Sequence, residues 1–292
     1  MDITELALDV LFDATKDTLY LIPFLFLTYL VMEWLEHKTG DKAEASIRRA
    51  GSLGPLIGSF LGIVPQCGFS AAAATLYAGR VITFGTLFSV FLVTSDEMLP
   101  IFIAEQVSPD VIIKILATKV IIGVVMGFIA DGVLRVLHKL DLSFHIHVLC
   151  EQDHCHCDQE ESGIFRSALR HTLQVTLFIF LITLLINGIL AAVGEDALAS
   201  FIGQNPILAI FGSTLVGLVP NCAASVAITQ LYLDGILGPA AMMSGLLVSA
   251  GVGLLILFRN NRHLKQNLII VALLYGTGVF WGLIIYALGI VY

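Results

Sequence analysis

Charged residues are scarce in this chain. Of its 292 residues, 13% are Asp, Glu, Lys or Arg and 57% are hydrophobic, with a mean hydropathy of +0.91. A soluble domain carries about 25% charged residues, so a soluble helical protein of this composition would have to bury nearly every helix on all sides. The scarcity argues against a soluble protein, and the absence of a basic patch argues against nucleic acid as a partner.

Enzyme motifs are missing as well. The sequence has no HExxH zinc site, no GxSxG nucleophile elbow and no P-loop. We therefore expect no enzymatic activity, no ATP hydrolysis within this chain and no cofactor. The first residues also lack the basic segment of a secretory signal, because they carry Asp2, Glu5, Asp9 and Asp13. We expect residues 1–17 to form an amphipathic segment at the membrane interface; an elongated first span is the alternative.

The sequence does contain an internal repeat with an offset of about 155 residues. Gly62-Ile63-Val64-Pro65-Gln66-Cys67-Gly68-Phe69-Ser70 matches Gly217-Leu218-Val219-Pro220-Asn221-Cys222-Ala223-Ala224-Ser225. The last span of each half carries one G-x-x-x-G pair, Gly123/Gly127 and Gly278/Gly282. Repeats of this kind are typical of transporters, and the glycine pairs indicate close helix packing.

Each half predicts five membrane segments. A first span is followed by two short apolar pieces, which the proline separates, and two full spans close the half. The predicted ranges are 18–36, 51–64, 67–79, 82–104 and 111–134, then 172–193, 206–219, 222–233, 236–258 and 267–290. A piece of ~14 residues reaches only ~21 Å as a helix, short of the ~30 Å hydrocarbon core. We therefore expect re-entrant half-helix hairpins, with thinned complete spans as the alternative.

Loop charges predict the orientation. Lys and Arg occur in the link at 37–50, at Arg80, around the central loop and at 259–265, whereas 105–110 and 194–205 have none. The positive-inside rule then makes the basic links cytoplasmic, puts both termini outside and inverts the second repeat. The predicted fold is an all-α polytopic inner-membrane protein with two inverted-topology repeats. Its predicted parts are the segment 1–17, a first repeat 18–138, a cytoplasmic His/Cys-rich linker 139–171 and a second repeat 172–292.

The two proline breaks are the first candidate site. Proline disfavours helix at and before its position, and broken backbone at membrane depth is tolerated only where protein or a wet cavity satisfies it. The break leaves free carbonyls, which attract cations, and free N–H groups, which attract anions, so it indicates a site for an ion of either charge or for a polar solute. Ordinary proline kinks are the alternative. Thiolates favour soft metals or metalloids and amide oxygens suit Mn²⁺; cysteines that are only small buried hydrophobes are the alternative. The serines fit bonds to the helix backbone equally well. The predicted path residues are Pro65, Gln66, Cys67, Ser70, Pro220, Asn221, Cys222 and Ser225.

Two carboxylates, Asp96 and Glu97, lie inside the predicted span 82–104. An ionisable side chain within a span is costly and generally functional. We expect the pair to bind a divalent cation or to cycle protons, with a solvated loop end as the alternative. Asp131 is a weaker candidate, close enough to a cytoplasmic end to be merely solvated.

The central loop is rich in metal-binding side chains, with seven His and Cys residues within 145–157. Their spacing is not that of a folded zinc finger. We expect a flexible cytoplasmic collector of metal ions, and an inert variable linker is the alternative. The seven residues are His145, His147, Cys150, His154, Cys155, His156 and Cys157.

These motifs, together with Thr94-Ser95-Asp96-Glu97-Met98, resemble the ten-helix heavy-metal exporters. That family is described both as arsenic-efflux-like and as manganese transporters, and organoarsenical permeases are more distantly similar. The resemblance covers essentially the whole chain after the amphipathic start. It implies five membrane segments per half and export of a metal or metalloid. It also implies that both Pro-Gln/Asn-Cys motifs line the path beside Asp96 and Glu97, but it does not choose a metal.

The sequence therefore predicts a secondary transporter that exports a heavy-metal or transition-metal ion, Mn²⁺ or a softer divalent metal, across the inner membrane. Proton coupling and alternating access are expected. One alternative is a permease for trivalent arsenic, an organoarsenical or another small thiol-reactive solute; a second is a membrane metal sensor. The expected partners are the lipid bilayer and the transported ion, which is a substrate and not a cofactor. A homodimer is left open.

Overall fold

The computed structural model describes residues 53–64, 67–94, 98–136, 205–261 and 263–292, and some of the residues in 11–30 and 165–184. Ten helices lie in the five continuous ranges, and no strand occurs among the described residues. The helices of the first half are α1 (Gly54–Gly62), α2 (Cys67–Ala78), α3 (Phe84–Val93), α4 (Met98–Ala104) and α5 (Pro109–Val136). Those of the second half are α6 (Pro206–Gly217), α7 (Cys222–Leu233), α8 (Pro239–Val248), α9 (Val252–Asn260) and α10 (Leu264–Leu288).

The helix boundaries follow the sequence repeat. Helices α7 and α8 begin and end 155 residues after α2 and α3, and α10 begins 155 residues after α5. The short pieces predicted at 67–79 and 222–233 correspond closely to α2 and α7. Equivalent sequences thus form equivalent helices in the two halves.

Four stretches of the described chain are long and apolar enough to cross a membrane: Phe84–Ala104, Pro109–Val136, Pro239–Asn260 and Leu264–Leu288. The outer surface of α5 exposes Ile113, Ile121 and Phe128, whereas its inner face buries Lys119 and Asp131. Apolar side chains outside and polar ones inside are what a bilayer requires. The chain is a multi-pass helical membrane protein.

Two spans that the sequence predicted as full helices are each interrupted. In the second half α8 ends at Val248 and α9 begins at Val252, with Gly251 between them at φ 51° and ψ −134°. Glycine adopts this conformation without the steric cost of a Cβ, which explains why the helix can break there. In the first half α3 ends at Val93, and Thr94 has an extended ψ of 128°. The predicted spans 82–104 and 236–258 therefore each consist of two helices.

Glycine pairs allow these broken spans to pack closely on α5 and α10. A Cβ atom built on Gly127 would lie 2.8 Å from Gly85 O of α3, and one built on Gly278 would lie 2.6 Å from Val248 Cγ1 of α8. Real Cβ atoms essentially never approach other atoms within 3.0 Å. Gly123 and Gly282 are similarly tight. The packing role predicted for both G-x-x-x-G pairs is confirmed.

Candidate functional site

The second proline break is fully described. Helix α6 ends at Gly217, Pro220 lies in the turn, and α7 begins at Cys222. Asn221 has an extended backbone, and its side-chain oxygen accepts a hydrogen bond from Ala223 N at 3.2 Å. Asn221 is thus the N-cap of α7. The chain break predicted from the proline is present, and the asparagine that was predicted as a ligand stabilises the start of the next helix.

Two further predicted path residues lie on the first turn of α7. Cys222 is buried, and the Ser225 hydroxyl donates to the Cys222 carbonyl at 2.8 Å. Ser225 therefore bonds the helix backbone, the role that the sequence had left as the alternative to a ligand.

The first proline break is described only in part. Helix α1 ends at Gly62 and α2 begins at Cys67, while Pro65, Gln66 and the side chain of Cys67 lie outside the described residues. Ser70 is buried in α2, and a Cβ atom on Gly253 of α9 would lie 2.8 Å from Ser70 Cβ. The start of α2 therefore packs against the start of a helix from the other half.

Asp96 and Glu97, and the seven His and Cys residues of 145–157, lie outside the described residues. Within the part of the chain that is described, no group of three His, Cys, Asp or Glu side chains could hold a metal ion.

In each half, the end of the helix before the proline lies beside the interruption of the broken span. A Cβ atom on Gly62, the last residue of α1, would lie 3.0 Å from Val93 Cβ and 3.3 Å from Thr94 N. A Cβ atom on Gly217, the last residue of α6, would lie 2.9 Å from Val248 Cγ2. In each half, the end of the helix before the proline is thus adjacent to the interruption of the broken span. Unwound backbone from both halves lies in the interior of the protein.

A buried lysine joins the two interrupted spans. The Lys119 ammonium of α5 donates to Thr94 O at 2.5 Å and to Leu246 O at 3.0 Å, and its side chain is fully buried. Sequence reasoning missed this residue, although an ionisable side chain in the middle of a predicted span was a signal that could have found it. Its repeat counterpart is Leu274, which is also buried.

Asp131 differs from its prediction. It is buried and not solvated, and its carboxylate accepts from Gly85 N and Thr83 Oγ1, both at 2.7 Å. The first N–H groups of a helix have no partner within the helix, and Asp131 supplies an acceptor to the start of α3. This contact explains its burial without a role in transport.

Interrupted helices inside an apolar shell define the class, a multi-pass α-helical membrane protein with unwound backbone in its core. A family model described as "Putative, 10TM heavy-metal exporter" matches residues 6–193, about two thirds of the chain. The chain belongs to this family, and the resemblance stated from its motifs is confirmed. The family is one of transporters and not of enzymes. No curated protein and no solved structure matches the chain.

Proposed function

We propose that this chain is a secondary transporter that exports a heavy-metal or transition-metal ion, Mn²⁺ or a softer divalent metal, across the inner membrane. Alternating access between two inverted halves, coupled to protons, drives the export. The observation that carries the proposal is the meeting of interrupted helices from both halves around Lys119, in a member of an exporter family. In transporters, discontinuous helices hold the substrate and its coupling ion.

The contacts of the first hairpin support a re-entrant arrangement. A Cβ atom on Gly54, at the start of α1, would touch the Thr86 side chain at the start of α3. Near the end of α2, the Tyr77 ring lies 6.3 Å from that of Phe84, the first residue of α3. Both outer ends of the hairpin are therefore level with the start of α3, while the end of α1 is level with the interruption after Val93.

The contacts between halves support inversion. The end of α9 meets the end of α2, where Asn260 Nδ2 lies 3.3 Å from Thr75 Oγ1. The end of α4 meets the end of α7, where the Phe102 and Tyr232 rings are 6.2 Å apart. The span α3–α4 thus begins beside the end of α2 and finishes beside the end of α7. These contacts support two hairpins that open toward opposite faces of the protein.

The same contacts agree with the orientation predicted from the loop charges. Gln266 Nε2, in the first turn of α10, donates to Tyr77 OH at 2.8 Å. Arg80 follows Tyr77, and Arg259 and Lys265 flank the turn between α9 and α10. These three cations therefore lie near one face, as cytoplasmic basic residues would.

The proposed ligands of the transported ion come from the breaks. Cys222 contributes a soft sulfur, and its counterpart Cys67 contributes a second one. In the sequence, Asp96 and Glu97 lie between Thr94, which accepts a hydrogen bond from Lys119, and the start of α4. These two carboxylates bind the metal or exchange protons. The linker residues 145–157 collect the ion on the cytoplasmic side.

Metal transport into proteoliposomes under an imposed pH gradient tests the proposal. A panel of manganese, zinc, cobalt, nickel, copper, cadmium and arsenite identifies the substrate. We expect Asp96→Asn and Glu97→Gln to reduce transport at least about tenfold, because a positioned proton-transfer group typically contributes about 10²–10⁴-fold in rate. The exposed Asp234→Asn and Glu105→Gln are matched controls. Wild-type protein that moves no metal under any gradient would contradict the proposal.

A second candidate function is supported by the proline breaks. Cys222 is the first residue of α7, so its thiol lies at a helix N-terminus, where free N–H groups favour anionic solutes. An uncharged or anionic solute, such as trivalent arsenic or an organoarsenical, would use this thiol and these N–H groups. In that case Asp96→Asn and Glu97→Gln should retain most activity, whereas Cys67→Ala and Cys222→Ala should remove it.

A further inference from the structure

The carbonyl groups that bind Lys119 are exposed by the helix interruptions. In an uninterrupted helix the Ala250 N–H would donate to Leu246 O, four residues earlier. Here Ala250 N donates to Val248 O at 2.8 Å, and Leu246 O accepts from Lys119 Nζ. Thr94 O, just past the end of α3, accepts from the same ammonium. One lysine thus satisfies a carbonyl at each of two broken spans, one from each half.

Carbonyl groups at the end of a helix carry a partial negative charge and attract cations. In transporters with broken helices, these carbonyl ends coordinate the coupling cation. The position of the Lys119 ammonium, between the carbonyl ends of α3 and α8, is therefore the position that a bound Na⁺ or K⁺ would occupy. We define the Lys119 site as Lys119 Nζ with Thr94 O and Leu246 O. All three residues are buried, and the cation at this site is the ammonium group of a side chain and not a bound ion.

The site also breaks the symmetry of the repeat. The counterpart of Lys119 in α10 is Leu274, a buried apolar residue. A single lysine from the first half thus satisfies the carbonyl ends of both halves.

We infer that Lys119 is the resident cation of this exporter: its ammonium fills the carbonyl site between the two broken spans, in place of a monovalent coupling cation. The inference rests on the proposed export function and adds to it that neither Na⁺ nor K⁺ is a coupling ion. Lys119 acts as a positioning residue, because its ammonium bonds to backbone carbonyls of the two interrupted spans and so holds them together.

Thermal unfolding of the purified, detergent-solubilised protein tests this inference without transport. Melting temperatures are compared at equal ionic strength in choline chloride, NaCl, KCl and methylammonium chloride. We expect wild type to give one melting temperature in all four salts. Lys119→Ala should melt lower in choline, and Na⁺, K⁺ or methylammonium should raise its melting temperature in a saturable way, because a small cation can enter the carbonyl site. Lys114→Ala, at an exposed position of the same helix, is the matched control and should behave as wild type.

Two results would overturn the inference. The first is a Lys119→Ala protein that responds to Na⁺, K⁺ and methylammonium no more than wild type does. The second, which does not require the variant to fold, is a saturable stabilisation of wild type by Na⁺ or K⁺. In proteoliposomes, methylammonium should restore transport to Lys119→Ala, an effect that a merely structural lysine would not show. If wild type moves no substrate at all, the proposed function fails, and the melting series still decides the role of Lys119.

Discussion

The substitution Gly278→Ala tests whether close helix packing holds the broken span of the second half in place. Gly278 lies on the inner face of α10, and a Cβ atom there would lie 2.6 Å from Val248 Cγ1, 2.8 Å from Thr214 Cγ2 and 2.9 Å from Ser244 O. Ordinary contacts begin at 3.4 Å, so α10 would have to move outward by about 0.8 Å. Val248 is the last residue of α8, and the movement would therefore reach the Lys119 site.

The expected magnitude follows from two opposing effects. Alanine favours a helix over glycine by about 1 kcal/mol, whereas overpacking a tight interior costs about 1–3 kcal/mol. Gly276 is two residues away on the same helix, is exposed, and has nothing within 4 Å of a Cβ atom. Gly276→Ala should therefore show only the stabilisation that comes from the higher helix propensity of alanine. We expect the two variants to differ by about 1–3 kcal/mol in the free energy of unfolding, or on the order of 5 °C in melting temperature.

Thermal unfolding of both variants in the same detergent measures this difference in stability. Transport assays of both variants show whether the movement of α10 affects the Lys119 site. Gly278→Ala should melt lower than Gly276→Ala and should transport more slowly. Equal melting temperatures for the two would show that α10 is not held against α8 by contact at Gly278. That result would refute the packing argument for both halves, since the repeat places Gly123 in the same role.

Two further substitutions separate structural from functional side chains. Asp131→Ala leaves the buried Gly85 N–H without an acceptor and should cost about 1–3 kcal/mol in the free energy of unfolding; Asp131→Asn should cost less, since its amide oxygen can still accept, and Asp110→Ala at an exposed position should have little effect. Chemical denaturation measures all three, and an Asp131→Ala protein as stable as wild type would contradict the capping role. Asn221→Ala removes the cap on Ala223 N and should cost about 0.5–2 kcal/mol, whereas Asn221→Ser keeps a capping oxygen. If Asn221→Ser restores stability but not transport, the amide also serves the path; restoration of both would leave capping as its role.

Much of the fold could be predicted because the bilayer imposes simple rules. Hydropathy located the four long apolar stretches of the described chain, and proline located the break before Cys222, where α6 ends and α7 begins. The repeat offset predicted equivalent helices in the two halves, and their boundaries agree. Each of these features depends on local backbone chemistry or on the length needed to cross a membrane, and both can be read from residues close together in the chain.

The second pair of breaks was missed because no proline marks it. The interruption before Val252 depends on Gly251, which has a positive φ. The interruption after Val93 is not preceded by a proline or glycine that would mark it in the sequence. Such interruptions are stable only where other parts of the chain supply hydrogen bonds to the exposed carbonyls. Here the donor for Thr94 and Leu246 is a lysine from a third helix, and its position could not be inferred from the residues at the breaks.

The sequence by itself determined the membrane class, the repeat, the proline breaks and the family. It did so because hydropathy, helix length and proline geometry act over short stretches of chain. Only the tertiary structure decided what the polar side chains in the core do. It placed Asn221 and Asp131 at helix ends as caps, and it brought Lys119 to carbonyl groups of both halves. A side chain that satisfies backbone groups of a distant segment can be identified only when the fold brings the two together.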